Sequence, residues 1–139
     1  MLSPYLAGLR QKVGHDLLLL PSVTVLVTDE VRRVLLVRHS DKNVWVAPGG
    51  MIELDETPQQ AAIREMKEET GCEVELLRIA GVFGGPHFRT QYRNGDQVAY
   101  VMTVFEARIV GGTLEPDGVE TLETSFFSFT ETQQLACGK

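Results

Sequence analysis

The chain has 139 residues, a length at which one domain can bury most of its apolar side chains without disulfide bonds or a partner chain. Its hydrophobic fraction of 43% and charged fraction of 23% are ordinary for globular proteins, which argues against a disordered, coiled-coil or collagen-like chain. The formal net charge of −6 opposes duplex nucleic acid as a partner, because binding to its backbone depends on clustered Lys and Arg.

The predicted elements follow the order strands, one main helix, and further strands. A short helix is predicted over residues 4–13, inside an N-terminal extension that comprises residues 1–20. Strands are predicted over residues 23–27, 31–37, 43–47, 74–82, 88–93, 96–108 and 126–129, with Asn94 and Gly95 as a hairpin turn. Because the helices are too few for a doubly wound parallel sheet, we predict one α/β domain of the α+β type over residues 1–139, with the main helix packed against a mixed sheet.

The main helix is predicted over residues 58–70, and its ends are marked by their chemistry. Thr57 suits the N-cap, Pro58 suits the first helical position, and Gln60 completes a capping box with Thr57. Gly71 can adopt the left-handed conformation that ends a helix. At about 100° per residue, the side expected to face the core comprises Ala62, Ile63, Met66 and Thr70.

An acidic side of this helix breaks the local rules of helix stability. Glu65, Glu68 and Glu69 stand at positions i, i+3 and i+4, so their carboxylates converge within one turn. Like charges at this spacing cost roughly 0.2–0.5 kcal/mol per pair, and acids near a helix C-terminus also oppose the macrodipole. One interpretation is a solvated surface on which Arg64 pairs with Glu68. The other is a site for Mg²⁺ or Mn²⁺, because three carboxylates are hard oxygen ligands.

The two cysteines, Cys72 and Cys137, have no Cys or His at the spacing of a zinc site, and nothing in the sequence resembles a secretory signal. Reduced thiols and a cytoplasmic location are therefore the simpler expectation. The apolar run of residues 17–20 ends at Pro21, far short of the roughly 20 residues that a membrane span needs. No membrane partner is expected.

The residues that precede the acidic side add a more specific pattern. Gly50 is followed after five residues by Glu56, and Glu56 is followed after seven residues by the segment Arg64-Glu65-Met66-Lys67-Glu68-Glu69-Thr70-Gly71-Cys72. At every fixed position this pattern resembles the signature box of the Nudix hydrolase family, and the resemblance covers roughly residues 23–129. It implies a mixed β-sheet sandwiched by helices, with a loop–helix–loop that holds metal ions against a pyrophosphate.

The resemblance implies a role for each residue of the box. The implied metal ligands are Glu65, Glu68, Glu69 and the Gly49 carbonyl. Arg64 and Glu56 are implied to fix the helix against its preceding loop, while Gly50 and Gly71 support the backbone of the site. The general base is implied to be Glu65 or a Glu from a later loop. For the later loop Glu120 is the best placed, in competition with Glu115, Asp117 and Glu123.

Candidates for substrate contacts are less specific. Arg38, near a strand end, is a candidate for a phosphate contact, although an exposed Arg is the commoner outcome. Trp45 is a candidate to stack on a base, although one large aromatic beside a turn more often belongs to the core. His39 and His87 have no ligand partners at a useful spacing and are interpreted as surface or loop residues. Residues 92–100 are a candidate lining of the substrate pocket.

Two features depart from the family pattern. Asp55 stands where many relatives have Gly, so the loop before the main helix is expected to differ. The sequence ends soon after Leu135, where relatives often have a fuller C-terminal helix, which leaves the cover of that side of the sheet open.

The predicted function is metal-dependent hydrolysis of a phosphoanhydride bond in a nucleoside diphosphate linked to another moiety, such as ADP-ribose or a sugar nucleotide, or in a nucleoside triphosphate. The alternative is a nucleotide-binding regulatory module of the same fold without turnover, although such modules often lack one of the box carboxylates, which are all present here. An isoprenoid diphosphate isomerase is disfavoured, because nothing resembles its extra catalytic Cys and Glu motifs. The expected partner is a small-molecule nucleotide, and a homodimer through the N-terminal segment is a further expectation.

Overall fold

The computed structural model describes residues 3–40 and 43–135, and within them the chain forms three helices and eight strands. The helices are α1 (Pro4–Val13), α2 (Pro58–Thr70) and α3 (Phe129–Thr132). The strands are β1 (Leu18–Val27), β2 (Val34–His39), β3 (Val44–Val46), β4 (Gly49–Met51), β5 (Cys72–Phe83), β6 (Arg89–Gln91), β7 (Gln97–Gly112) and β8 (Thr121–Phe127). Across these ranges, no helix has the length and apolar character required to span a membrane.

The strands form two sheets that both contact the main helix. The larger sheet has the order β4-β1-β7-β5, with β6 added to β7. Strands β1 and β7 run parallel while the other pairs of this sheet are antiparallel, so the predicted mixed sheet is confirmed. The smaller sheet, β3-β2-β8, is antiparallel. Helix α2 packs against β1, β4 and β5 of the larger sheet and against β8 of the smaller one.

The main core lies where α2 meets these strands. Its buried members are Val23, Val25, Val27, Leu35, Ala61, Ala62, Met66, Cys72, Val74, Phe105 and Ala107. Cys72 is a free, buried thiol, while Cys137 lies outside the described residues. Because α2 supplies three of the side chains in this core, its position relative to both sheets is held by packing.

The predicted bounds and caps of α2 are confirmed. Thr57 accepts from the Gln60 N–H at 3.1 Å and Gln60 accepts from the Thr57 N–H at 2.9 Å, which closes the capping box. Gly71 ends the helix with φ 76°. The predicted core position of Ile63 is wrong, because this side chain is 44% exposed and Ala61 is buried instead. The buried side is thus rotated toward the acidic residues, and it includes Glu69.

Several strand ends differ from the sequence prediction. β1 begins before residue 23 and continues through Pro21, whose carbonyl accepts from the Ile52 N–H at 3.2 Å. β2 begins only at Val34, because Asp29 and Arg33 close a turn around residues 31 and 32. Residues 88–93 form the end of a 3₁₀ turn followed by the short β6. β8 begins at Thr121 and ends before Phe129, which starts α3 behind an N-cap at Ser128.

Helix α1 is confirmed over residues 4–13 and packs beside the hairpin of β6 and β7. Ser3 caps its first turn by accepting from the Leu6 N–H at 3.1 Å. Leu6 forms a second small core with Leu20 of β1 and Val98 of β7. The predicted N-terminal extension is therefore attached to the larger sheet by apolar contacts.

The loop between β4 and α2 contains the departure at Asp55. Asp55 has φ 62°, in the left-handed region where a side chain costs roughly 1–2 kcal/mol and glycine costs little. Two hydrogen bonds close the loop. The Glu53 N–H donates to Glu56 Oε1 at 3.0 Å, and the Glu56 N–H donates to the Glu53 carbonyl at 3.2 Å. The backbone at this position thus has the conformation that a glycine prefers.

Replacing Asp55 by Gly should stabilise the protein by about 0.5–1 kcal/mol, because relief of the left-handed strain exceeds the extra backbone entropy that glycine gains in the unfolded chain. Urea unfolding of the wild type and of Asp55→Gly measures this difference. Asp55→Ala is the matched control and should be no more stable than the wild type, since it keeps the Cβ atom. A glycine variant less stable than the alanine variant would contradict the assignment of strain to Asp55.

Candidate active site

Arg64 connects α2 to the loop that precedes it. Its Nε donates to Glu56 Oε2 at 2.7 Å and its Nη2 donates to Glu56 Oε1 at 2.9 Å, which forms a bidentate pair. Nη2 also donates to the Met51 carbonyl at 2.9 Å. The hydrogen bonds from Arg64 hold the pKa of Glu56 below its usual range. One guanidinium therefore joins the helix, the loop and the end of β4.

Glu65 and Glu69 form a pair of carboxyl groups on the inner side of α2. Glu69 is 4% exposed, and its Oε2 accepts from the Gly49 N–H at 3.1 Å. Burial raises the pKa of Glu65, and burial together with the hydrogen bond that protonated Glu69 donates to Glu65 raises the pKa of Glu69 well above its usual range. A hydrogen bond between two carboxyl groups requires one shared proton, so the pair holds a proton at pH values where exposed carboxyl groups are ionised.

Gly49 and Gly50 allow β4 to pass close to this pair. A Cβ atom on Gly50 would lie 2.5 Å from Glu65 Oε2, and one on Gly49 would lie 2.1 Å from the Val23 carbonyl oxygen. Both distances are too short for any side chain. Gly50 therefore brings the backbone of β4 against the Glu65 carboxyl group, and Gly49 brings it against β1.

Glu68 occupies the outer side of the same helix turn. Its side chain is 58% exposed, and its Oε2 accepts from Arg64 Nη1 at 3.2 Å, while the same Nη1 donates to Glu65 Oε1 at 2.6 Å. Among the residues that the structure describes, no three Asp, Glu, His or Cys side chains converge into a complete set of metal ligands. Arg64 pairs with Glu68 on the solvent-exposed side of the helix, while Glu65 and Glu69 hydrogen-bond to each other.

A cleft of about 570 Å³ opens beside Glu65. Its lining includes Glu65, Gly49 and Gly50 at one end and residues of α1 and of the β6–β7 hairpin at the other. Glu120, on the loop before β8, also lines the cleft. The other acids considered for the role of base do not line the cleft. Glu115 is exposed, Asp117 accepts hydrogen bonds from the backbone of its own loop, and Glu123 binds Arg38.

The loop that carries Glu120 is attached to the end of α2. Asp117 Oδ1 accepts from the backbone N–H groups of Val119, Glu120 and Thr121 at 2.7, 2.9 and 3.0 Å. Thr121, which is fully buried, donates through Oγ1 to the Glu69 carbonyl at 2.9 Å. No sequence pattern assigned a role to Thr121, although an Asp followed by backbone donors is a usual turn signal.

The weaker sequence candidates have mixed placements. Arg38 binds Glu123 across β2 and β8, with 2.9 Å between Nε and Oε1, and does not line the cleft. Trp45 packs edge to face on Phe127 at 4.9 Å, again outside the cleft. His87 is exposed, as predicted, whereas His39 lines the cleft rather than the open surface.

The far end of the cleft combines the predicted segment 92–100 with three residues that no sequence pattern singled out. Residues 92–100 were a candidate lining, and this segment contributes Tyr92, Arg93, Asn94, Asp96, Val98 and Tyr100. Leu6 and Arg10 from α1 and Met51 from β4 complete this end. Their participation depends on where α1 packs, which a local pattern does not contain.

Comparison with known proteins identifies relatives of this arrangement. The chain is 45% identical over 62 residues to a MutT-like protein from Streptomyces ambofaciens, and this match covers 45% of the chain and 40% of that protein. It is 30% identical over 127 residues to an ADP-ribose pyrophosphatase from Methanocaldococcus jannaschii, covering 88% of the chain and 70% of that protein. The chain thus spans less than half of the first relative and most of the second.

The fold and a family model point the same way. The crystal structure of a UDP-X diphosphatase superposes with a TM-score of 0.68 at 24% identity, covering 94% of this chain and 61% of that one, which shows a shared fold. The model of the NUDIX domain matches residues 18–138. Since this match includes the box, β4, α2 and the loop of Glu120, the chain belongs to the Nudix hydrolase family.

Proposed function

We propose that this chain is a metal-dependent pyrophosphohydrolase that cleaves a phosphoanhydride bond in a nucleoside diphosphate linked to another moiety, or in a nucleoside triphosphate. The observation that carries the proposal is the carboxyl pair of Glu65, which lines the cleft with Gly49 and Gly50, and Glu69, which is buried behind it and accepts from the Gly49 N–H. Two desolvated carboxyl groups in contact are unfavourable unless a proton or a cation lies between them.

The chemistry of the box residues suits a divalent cation, although their three carboxylates do not converge on one point in this structure. All the candidate ligand atoms are oxygen atoms, which suits Mg²⁺ or Mn²⁺. The absence of a side chain at Gly50 leaves space directly over the Glu65 carboxylate, where a Cβ atom would lie 2.5 Å from Oε2. We assign Glu65, Glu69, the exposed Glu68 and the Gly49 carbonyl to hold the ion. When bound, such an ion neutralises charge on the phosphoryl oxygens and orients the diphosphate.

The chain's own groups supply the remaining parts of the reaction. A water oxygen attacks phosphorus, the bond to the bridging oxygen breaks, and a carboxylate base takes the proton of the water. We assign Glu120 as this base because it lines the same cleft as Glu65, while Glu65 is the alternative. Arg64 has a positioning role, because its hydrogen bonds to Glu56 and Met51 hold α2 against β4.

A relative and the site together support this substrate class. One relative is named as an ADP-ribose pyrophosphatase, and that name refers to a nucleoside diphosphate with a second group. The cleft of about 570 Å³ has room for such a molecule. The same proposal includes a cytoplasmic location, consistent with the buried, free Cys72, and a homodimer formed through the N-terminal segment.

A nucleotide-binding regulatory module without turnover is the second candidate. It would need the cleft but not the carboxyl pair, and all three box carboxylates are present in this chain. Turnover by the wild type that is lost in a folded Glu68→Gln variant supports the enzyme. A Glu68→Gln variant that binds nucleotide as the wild type does, in the absence of any turnover by either protein, supports the module.

Metal-free protein should lose stability as the pH rises above 4.5, the usual pKa of Glu, toward the raised pKa of the Glu65 and Glu69 pair. The folded state binds the shared proton more tightly than the unfolded state does, so its contribution is present at low pH and disappears on deprotonation. Glu69→Gln should remove this contribution to the pH dependence, whereas Glu30→Gln, on an exposed turn, should retain it. Thermal unfolding between pH 5 and 9 in a chelating agent measures both.

Adding Mg²⁺ or Mn²⁺ at pH 8 should raise the melting temperature of the wild type. A concentration 100 times the dissociation constant contributes about 2.7 kcal/mol. The metal-induced rise in melting temperature should be small in Glu69→Gln, and in Glu30→Gln it should equal that of the wild type. An equal rise in melting temperature in all three proteins would contradict the assignment of the carboxyl pair as the ion site.

Hydrolysis should require a divalent metal ion. The protein should hydrolyse at least one substrate among ADP-ribose, sugar nucleotides, dinucleoside polyphosphates and nucleoside triphosphates, including oxidised ones. Glu68→Gln should reduce kcat by about 100-fold or more, since even partners that only support a metal ligand are worth about 10–100-fold. The exposed Glu73→Gln is the control, and release of nucleoside monophosphate is the measurement. Absence of turnover in every class would contradict the proposed reaction.

Glu120→Gln should reduce kcat by about 10²–10⁴-fold with little change in KM, because a general base acts in the chemical step. Glu115→Gln is the matched control, since it changes an exposed carboxylate in the same loop that does not line the cleft. Steady-state kinetics over a range of pH measures both variants. A normal kcat in Glu120→Gln would contradict the assignment of Glu120 as the base and would support Glu65 instead.

A further inference from the structure

The turn of the β6–β7 hairpin, residues 92–96, lies at the border of the cleft that contains Glu65. The Gly95 N–H donates to the Tyr92 carbonyl at 2.9 Å, and the Tyr92 N–H donates to the Asp96 carbonyl at 2.9 Å. These hydrogen bonds give the turn its shape. Because they are internal to the turn, they do not fix its position relative to the rest of the cleft.

Arg10, in the last turn of α1, attaches this hairpin turn to the N-terminal segment. Its Nη1 donates to the carbonyls of Gly14 and Asp16 at 3.1 and 2.6 Å, and its Nη2 donates to the Gln97 carbonyl at 2.8 Å. Its Nε lies 3.5 Å from Asp96 Oδ2 and makes an ion pair there without a hydrogen bond. One guanidinium therefore contacts the end of α1, the start of β7 and the hairpin turn.

His15 holds the same turn from the same side. Its Nδ1 lies 2.7 Å from Asp96 Oδ1, and a Cβ atom on Gly95 would lie 3.5 Å from the His15 ring. The hydrogen bond with His15 and the charge of Arg10 hold the pKa of Asp96 below its usual range. The turn is thus fixed to the N-terminal segment through an ionised carboxylate.

Attachment of α1 by itself does not require an arginine at position 10. The side chain of Arg10 is only 8% exposed, and its Nε atom is buried without a hydrogen bond. Burying an ion pair is often no better for stability than burying apolar side chains of similar volume. Leu6, one helical turn earlier, already belongs to a small apolar core. What an arginine adds is a planar fork that fixes several oxygen atoms in one geometry.

Arg93 occupies the second position of the turn that this fork holds in place. It lines the cleft and is exposed, and its side chain makes no hydrogen bond or ion pair with the described residues. Arg10 is the other arginine of the lining, and it is buried and paired with Asp96. The charge of Arg93 is therefore available to an anion in the cleft. A guanidinium binds phosphate oxygens through charge-assisted hydrogen bonds.

We propose that Arg10 is a positioning residue, which fixes the hairpin turn through Asp96 and Gln97 so that Arg93 binds a phosphoryl oxygen of the substrate. The inference rests on the proposed function and adds a specificity-determining residue, Arg93, together with the residue that places it. Helix α1 lies before residue 18, outside the matched NUDIX domain. The signature box therefore contains neither of these two arginines.

Steady-state kinetics with Mg²⁺ tests both roles. Arg93→Gln should raise KM by about tenfold, the loss expected for one charge-assisted hydrogen bond, and should change kcat by less than about threefold. Arg10→Met should do the same, because it releases the turn that holds Arg93. Arg89→Gln is the matched control, since it changes an exposed arginine of the same hairpin that does not line the cleft. An unchanged KM in Arg93→Gln would overturn the proposal.

A double-mutant cycle separates positioning from a direct contact of Arg10 with substrate. If Arg10 acts through Arg93, adding Arg10→Met to Arg93→Gln should change KM by less than about threefold. Adding Arg10→Met to Arg89→Gln should still raise KM by about tenfold. A full tenfold effect of Arg10→Met in the Arg93→Gln protein would contradict the positioning role.

A conservative variant covers the case that Arg10→Met does not fold. Arg10→Lys keeps one positive charge beside Asp96 but cannot donate from a planar fork to several separate acceptors. It should therefore raise KM by about threefold or more while the melting temperature shows a folded protein. A folded Arg10→Lys protein with the KM of the wild type would contradict the need for the fork.

Binding of ADP in the presence of Mg²⁺, measured by isothermal titration calorimetry, does not depend on turnover. Its dissociation constant should follow the same pattern as KM in these variants. This pattern in a protein without turnover would support the proposal and contradict the reaction. Turnover with unchanged KM and unchanged ADP binding in Arg93→Gln and Arg10→Met would support the reaction and contradict the proposal. Absence of ADP binding by the wild type would also overturn it.

Discussion

The burial of the Glu65 and Glu69 carboxyl groups between α2 and β4 is the constraint on which the rest of the site depends. Glu69 is almost completely removed from water and has one backbone donor, the Gly49 N–H, so its neighbourhood must supply a proton or a cation. Such a group is not chosen for local helix stability. It is tolerated because the packing of Ala61, Ala62 and Met66 against both sheets holds α2 in place.

The neighbouring backbone is shaped around this pair. The glycines at positions 49 and 50 permit a contact that any side chain would prevent. Arg64 bonds to Glu56, Met51, Glu65 and Glu68, so one side chain positions the loop, the strand and two of the acids. Thr121 then attaches the loop of Glu120 to the last turn of α2 through the Glu69 carbonyl. The parts of the site thus come from distant segments but share direct hydrogen bonds with one helix.

The cleft changes character along its length. The end near α2 contains the carboxyl groups of Glu65 and Glu120. The end near α1 combines apolar and aromatic groups with the ion pair of Arg10 and Asp96 and with the exposed Arg93. Helix α1 therefore belongs to the cleft, although it lies before the matched family domain.

Local patterns in the sequence by themselves determined α2, its capping box and its glycine stop, because each of these depends on residues close together in the chain. The pairing of Arg64 with Glu56 was implied by the resemblance to the family, and the structure contains it. The mixed sheet also followed from the order of strands and helices. Only the tertiary structure decided that Glu69 is buried and Ile63 exposed, since helix periodicity leaves the phase of the buried face open to rotation until the sheets pack against it. The same holds for Thr121, Arg10 and Tyr100: their partners are distant in sequence, and long-range packing alone brings them together.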